Sequence, residues 1–239
     1  MCERRALRTR RQRSDSTAQR SHSEALPLPI FPAMTLPFFP LSLVTFPFQP
    51  LNLHIFEPRY RQLFGELRDT GGEFVQVPVI EGRLQGFGTA CRLMSVAKEY
   101  ASGELDVVCE GTHVVTVDDF REVEAGKLYS AGEVTPLRTT LTTSDVMATE
   151  QLLDRCRDLL QLLGVHRDLP DATDAGVSYS LGHWLGLKSH EEIALLSMTT
   201  EDERQRHLAH LVEERMETAR DTAELRRRAQ MNGHFRYVS

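Results

Sequence analysis

The residues best suited to chemistry in this sequence are its histidines, serines and carboxylates, and their spacing decides what they can do. His207 and His210 stand one helical turn apart, with Glu214 a further turn along the same predicted helix. Two imidazoles and a carboxylate are zinc-ligand types. The HExxH spacing of a helical zinc site is absent and no cysteine lies near, so the group reads as a solvated helix face. Asp174, Ser180 and His183 supply the residue types of a hydrolytic triad. On one short helix their side chains diverge, and no nucleophile elbow surrounds the serine, so they read as helix capping and surface. The run Arg226-Arg227-Arg228 has the charge to hold phosphate, yet cations at a helix end are favoured by the helix dipole alone. The sequence therefore points to no catalytic residue, no cofactor-binding residue and no metal ligand.

Aromatic residues give a more specific signal. Phe38, Phe39, Phe46, Phe48 and Phe56 fall within nineteen residues, more than one short edge segment usually buries. Some of them must belong to a core. The remaining one or two are expected to line a groove for extended apolar peptides, where an irregular edge strand also offers its backbone to a guest strand. Glu57, Arg59 and Arg61 form a charged group directly after these aromatics. They read equally as a contact for a partner and as an ion pair that pins the first helix to the sheet.

The elements that must position these residues fall into two halves. From Leu36 to about Leu137 the chain reads as short strands: Leu36–Phe46, Leu51–Phe56, Phe74–Ile80, Thr89–Val96, Leu105–Glu110, Thr112–Val117 and Leu128–Pro136. Pro37, Pro40 and Pro47 mark the first as an edge or irregular strand, and Pro78 hints the same for the third. Ala101-Ser102-Gly103 is a plausible hairpin turn. One helix interrupts this half. Pro58 suits its first position, Tyr60, Leu63, Phe64 and Leu67 recur at helical spacing, and Gly71-Gly72 ends it. After Thr140 the period changes. Leu152, Leu153, Cys156, Leu159, Leu160 and Leu163 form an apolar stripe that stops at Gly164, and Val177, Leu181, Trp184 and Leu185 make a second helix. Ser189 with Glu192, and Thr200 with Glu203, are capping-box pairs that announce two more helices. Strands first and helices second make an α+β architecture. The expected organisation is a basic extension over 1–33, a β-barrel part with one helix over 34–138, a helical bundle over 139–220 and a charged, fraying tail over 221–239.

Composition narrows the function. The net charge is −6, and residues 1–33 hold seven arginines against three acids. The rest therefore carries about −10, which argues against a nucleic-acid partner. The basic extension reads as a disordered segment or as residues ahead of a true start at Met34, with a basic arm or a transit peptide as its functional reading. No stretch reaches the roughly 20 apolar residues of a membrane helix. Cys2, Cys91, Cys109 and Cys156 form no CxxC pair and no clustered framework, so they read as structural thiols of a reducing, cytoplasmic protein.

A run of these residues resembles a known family. Leu36, Pro37, Phe39, Pro40, Leu41, Phe46, Pro47, Pro50, Leu51, Ile55, Phe56, Glu57, Arg59 and Tyr60 match the "LPLFPL…FP…PL.IFE.RY" opening of the Lon protease N-terminal, substrate-binding domain. A second match runs through Gly88–Leu93, Gly103–Val108 and Glu110-Gly111, and the likeness extends over about residues 36–215. Two departures stand out. Phe48 occupies a place that often holds glycine, which widens an apolar surface at that loop. His113 lies where the family usually has a basic residue, which puts a charge contact there in doubt.

The resemblance implies a PUA-like β pseudo-barrel followed by a C-terminal helical bundle, and a domain that captures unfolded or tagged protein substrates. It does not bring the motor or the peptidase of full-length Lon. The ATP-binding loop needs G-x-x-x-x-G-K-[ST], and here Gly126-Lys127 precedes Leu128 without the upstream glycine. The peptidase needs a serine activated by lysine, and the lysines are only Lys98, Lys127 and Lys188. The chain is thus expected to be a stand-alone, non-catalytic protein that binds unfolded or specific protein and peptide substrates. An RNA-binding PUA-like module and an adaptor for an ATP-dependent peptidase are the alternatives. A homodimer and a separate protease or motor partner are compatible with this reading, and a membrane is not.

Overall fold

The computed structural model describes residues 32–232. The basic extension and Cys2 thus lie outside the described residues, apart from Pro32 and Ala33. In chain order the elements are β1 (Met34–Leu41), β2 (Pro50–Ile55), α1 (Pro58–Thr70), β3 (Glu73–Ile80), β4 (Arg83–Leu84), β5 (Phe87–Glu99), β6 (Leu105–Val117), β7 (Ala131–Pro136), α2 (Val146–Leu163), α3 (Val177–Trp184), α4 (Ser189–Ser197) and α5 (Glu201–Asn232). This is the α+β order read from the sequence.

Five strands close on themselves. The ladder runs β1–β7–β6–β5–β3, and β3 pairs back to β1 in parallel. Each of the five sends residues to one interior cluster: Phe38 from β1, Val75 and Val77 from β3, Ala90 from β5, Val115 from β6 and Val134 from β7. Period-2 alternation then sends their neighbours outward. Phe39, Phe74 and Cys91 join a second cluster with Tyr60, Leu63, Phe64 and Leu67, the buried stripe of α1. Gly71 ends α1 in a left-handed conformation (φ 67°), the usual helix stop. The helix is tied down by Glu66, which accepts hydrogen bonds from Lys127 Nζ (2.8 Å) and the Tyr129 hydroxyl (2.7 Å). Those two bonds hold the Glu66 carboxyl below the usual range.

The first strand departs from the edge reading. Met34–Pro37 pairs with β7, and Phe38–Leu41 pairs with β3. The strand hands over from one partner to the other and closes the ring. Each half is paired on one flank only, a setting in which strand prolines are tolerated. The strand stops at Leu41, and residues 42–49 form a bonded loop. Leu105–Glu110 and Thr112–Val117 are a single strand, β6, in which Thr112 is the extra residue of a bulge between Ala90↔His113 and Cys91↔Gly111. Gly111 had the look of a strand break. It serves another need, since a Cβ there would come within 2.5 Å of the Phe46 carbonyl oxygen.

That close approach seats the loop. Phe48 N–H donates to Gly111 C=O (2.8 Å) and Gly111 N–H donates to Gln49 C=O (3.1 Å). The buried Gln76 side chain accepts from Thr45 N–H (3.1 Å) and donates to Leu43 C=O (2.9 Å), while Thr89 Oγ1 donates to Thr45 C=O (2.5 Å). So fixed, the loop drives Phe46 into the helical layer. There it stacks on Tyr179 at 5.5 Å in a cluster shared with Val114 of β6 and with α2, α3, α4 and α5.

The helices keep their sequence signals with two shifts. Gly164 caps α2 in the left-handed conformation, and Thr200 Oγ1 accepts from Glu203 N–H (3.2 Å) at the start of α5. The cap of α4 sits one residue earlier than the Ser189/Glu192 pair suggests, because the Glu191 carboxylate accepts from Lys188 N–H at 2.8 Å. The charged tail expected from 221 is helical through Asn232, with Glu224 paired to Arg227 and Arg228 along its surface. Ion pairs three and four residues apart extend the helix past Met216, the last of its buried apolar residues.

The three described thiols are buried. Burial pushes Cys109 and Cys156 up to about 12, and burial with the neighbouring Cys109 pushes Cys91 up as well. A thiol that high carries almost no thiolate at neutral pH. A Cys2→Ser variant is therefore expected to resist iodoacetamide when native and to take three labels in denaturant, as mass spectrometry counts them. Labelling of the native protein would contradict the burial.

Candidate functional site

β2 lies outside the closed ring. It pairs with β6 along Pro50↔Glu110 to Ile55↔Leu105, and no described strand lies along its other flank. Leu51 and Ile55 point into the α1 cluster, whereas Pro50, Asn52 and His54 are exposed. The strand must end where it does because Pro58 begins α1, with Glu57 as an extended N-cap (φ −69°, ψ 135°). The residue caught between, Phe56, is 58% exposed.

Two hollows flank this strand. One, about 180 Å³, is lined by Pro40 and Leu41 of β1, Leu53, Phe56, Arg59 and Tyr60. The other, about 340 Å³, is lined by Asn52, His54, Ala97, Asp106 and Val108. Leu53 and His54 belong to both. His54 is held between them: its Nδ1 lies 2.7 Å from Asp106 Oδ1, its ring stacks on Phe56 at 6.1 Å, and its edge meets Tyr100 at 5.7 Å. The Tyr100 hydroxyl donates to the other Asp106 oxygen at 2.8 Å. Hydrogen bonds from His54 and Tyr100 hold the Asp106 carboxyl below its ordinary range. An unpaired strand flank, one bare aromatic ring and two hollows can bind an extended chain by backbone pairing with side-chain pockets on either side.

The five phenylalanines separate cleanly. Phe38 (0% exposed), Phe39 (5%) and Phe46 (1%) are core residues and face no solvent, which corrects their reading as peptide contacts. Ring closure at β1 and the inward turn of the loop, neither visible from composition, put them there. Phe56 lines the smaller hollow with an exposed ring, and Phe39 borders it from the core. Phe48 is 48% exposed but belongs to the joint between loop and helices, with its ring against Gly176 at the start of α3.

Phe48 also has φ +65°, the left-handed region in which glycine is at ease and an aromatic residue is strained. Glycine, which the resemblance leads one to expect at that place, would carry no such strain. The strain costs about 1–2 kcal/mol, and the half-buried ring returns about 1 kcal/mol. Phe48→Gly is therefore expected to leave stability within about 0.5 kcal/mol of the parent, while Phe48→Ala, which keeps the strain and loses the ring, costs about 1 kcal/mol. Urea denaturation compares the two, and the reverse order would show that the loop relaxes freely.

The other motif residues have structural places. Pro40 lines the smaller hollow and Pro47 is buried in the loop. Glu57 and Arg59 pair locally at 2.7 Å, and the Arg59 guanidinium lies 4.5 Å over the Tyr60 ring. Tyr60 itself is buried, and burial raises its hydroxyl pKa. Neither Glu57 nor Arg59 pins the helix; Glu66 does. Arg61 instead lies so close over the β5–β6 hairpin that a Cβ on Gly103 would meet its guanidinium. Glu110 sits opposite Pro50 in the ladder, and Gly111 admits the loop backbone. His113 Nδ1 lies 3.0 Å from its neighbour's Thr112 hydroxyl.

The residues weighed for catalysis do not assemble. Among the described residues no hydrogen bond joins Asp174, Ser180 and His183, and Asp174 caps the N–H of Asp171 at 2.9 Å. His210 lies 3.4 Å from Glu214, and no group of three or more His, Cys, Asp or Glu residues has metal-binding proximity among the described residues. Arg227 and Arg228 are exposed and paired to Glu224, and the side chain of Arg226 lies outside the description. No described helix is long and apolar enough to cross a membrane.

A family model described as the ATP-dependent protease La (LON) substrate-binding domain matches residues 35–214. Among solved structures, a Lon N-terminal domain protein from Xanthomonas campestris is similar, with 24% identity and a TM-score of 0.57 over 75% of this chain and 98% of that one. The N-terminal domain of a Mycobacterium avium complex Lon protease is similar at 17% identity and a TM-score of 0.58, with the same coverage. At these identities both structures speak to the fold. No curated protein matches the sequence. The family match reaches from β1 well into α5, across the barrel, the seated loop and the helices: this chain belongs to the Lon substrate-binding domain family.

Proposed function

We propose that this chain is a non-catalytic recognition module that binds unfolded protein segments at the outer flank of β2. The observation that carries the reading is the position of Phe56, a bare ring at the end of a one-sided strand and beside an apolar hollow. Membership of a substrate-binding family supports a protein as the ligand. The free ladder flank supports an extended conformation for it, since backbone N–H and C=O groups of β2 find partners only along another strand. The negative charge outside the basic extension supports a protein over a nucleic acid.

Binding of a fluorescently labelled, permanently unfolded model protein to the full chain tests the proposal. The expected affinity is micromolar, about −8 kcal/mol. Phe56→Ser should weaken it about tenfold, the loss of one central aromatic contact, while circular dichroism and the urea midpoint stay unchanged. Equal binding by the variant would remove β2 from the interface.

A further inference from the structure

Resting on that reading, we propose that the β2 flank selects extended segments in which apolar and basic residues alternate. A strand added to β2 must send successive side chains to opposite faces of the sheet. Those two faces differ here. On one lies the hollow of Pro40, Leu41 and Leu53, bordered by the Phe56 ring that stacks on His54, and there the one carboxylate, Glu57, is neutralised by Arg59 at 2.7 Å. This face takes an apolar side chain.

The other face is acidic. The ladder register sets His54 opposite Asp106 and Pro50 opposite Glu110, so both carboxylates share the outer face of β2. The Glu104 carboxylate joins them, 3.8 Å from His54 Nε2. Among the described residues Glu110 makes no ion pair, and Glu104 has none with a lysine or arginine. The cations that face this side are Lys98 and Arg92 of β5. Lys98 stands opposite Asp106 with its ammonium 4.2 Å over the Tyr100 ring, and Arg92 stands opposite Glu110 with its guanidinium turned to Glu73 at 3.3 Å. Three carboxylates thus meet one lysine on this face of the sheet. The hollow between them, lined by Ala97, Val108 and Asp106, suits a long aliphatic stem ending in a cation. An acidic segment brings like charge to the same place and is rejected.

Three short fluorescein-labelled peptides test this against the full chain: Val alternating with Lys, the same residues in two separate blocks, and Val alternating with Glu. The alternating Val/Lys peptide should bind about tenfold more tightly than either other peptide, with the advantage over Val/Glu shrinking in salt. The double variant Glu104→Gln/Glu110→Gln, which touches no core residue, should remove most of the advantage over Val/Glu and leave the advantage over the blocked peptide. Equal binding of Val/Lys and Val/Glu, or a double variant that keeps the gap, would overturn the charge selection. Equal binding of alternating and blocked peptides would overturn the alternation. Capture of the unfolded protein with no peptide preference leaves the recognition module standing and this selection refuted. Failure to bind the unfolded protein removes the module itself.

Discussion

Arg204→Met is expected to cost about 3–5 kcal/mol of unfolding free energy. Arg204 and Glu201 form an ion pair at 2.8 Å with both side chains essentially inaccessible to solvent (0% and 1% exposed). The arginine also donates to the Ser178 hydroxyl (2.8 Å), to Met198 C=O (2.9 Å) and to Thr140 C=O, and its guanidinium lies 4.4 Å over Tyr179. Glu201 accepts from Ser178 N–H (2.8 Å), the Ser178 hydroxyl (2.7 Å) and Gln205 Nε2 (2.9 Å). The network ties α3 and the segment after β7 to the first turn of α5. Removal of the cation strands a buried carboxylate with no countercharge, which is why the loss exceeds that of any surface pair. The double variant Arg204→Met/Glu201→Leu is expected to recover part of the loss, since an apolar pair of similar volume avoids the stranded charge. Urea denaturation of both measures it. A single variant as stable as the parent would mean that water enters the network.

Phe46→Ala is expected to cost about 3–5 kcal/mol, against less than about 0.5 kcal/mol for Phe56→Ala. Both residues belong to the same aromatic motif, and burial separates them. The Phe46 ring is 1% exposed, stacks on Tyr179 and reaches Gly182 of α3, where an added Cβ would meet it at 3.2 Å. It is the side chain through which the barrel's loop enters the helical cluster, so its truncation leaves a cavity between two layers that cannot easily collapse. Phe56 stacks on His54 and is otherwise 58% exposed at the rim of the smaller hollow. The two variants should therefore exchange ranks between assays: Phe46→Ala fails in stability, and Phe56→Ala fails in binding. Similar stability losses for both would place Phe56 in a core.

The motif and the elements around it were legible in the sequence because their causes are local. Gly71 and Gly164 stop helices, Pro58 starts one, and Ala101-Ser102-Gly103 turns the β5–β6 hairpin, with Gly103 at φ 82°. Features that depend on distant partners were not. Closure of β1 against β3 depends on residues some 37 positions apart, and proline content alone suggested an edge. Gln76 and Thr89 look like ordinary strand polar residues until the loop returns its backbone to them. Arg204 sits in the charged run Glu201–Arg206, which carries the composition of a solvated helix, and its burial follows from Ser178 and Thr140 arriving from elsewhere.

The site was half visible for the same reason. The excess of aromatics over what one segment buries left one or two rings to lie outside the core, and which they are, Phe48 and Phe56, is decided by tertiary packing. Phe48 stands where the resemblance leads one to expect glycine, and the sequence suggested there only a wider apolar surface at the loop. Its positive φ marks the strain, and its contact with Gly176 assigns it to the loop–helix joint.

Hydrogen–deuterium exchange of the full chain, with and without a saturating unfolded model protein, tests the central claim most directly. Pairing at the outer flank of β2 predicts slowed exchange at Leu51–Phe56, with α2 and α5 unchanged. Protection confined to α2 and α5, or none at β2 while the unfolded protein is bound, would contradict it.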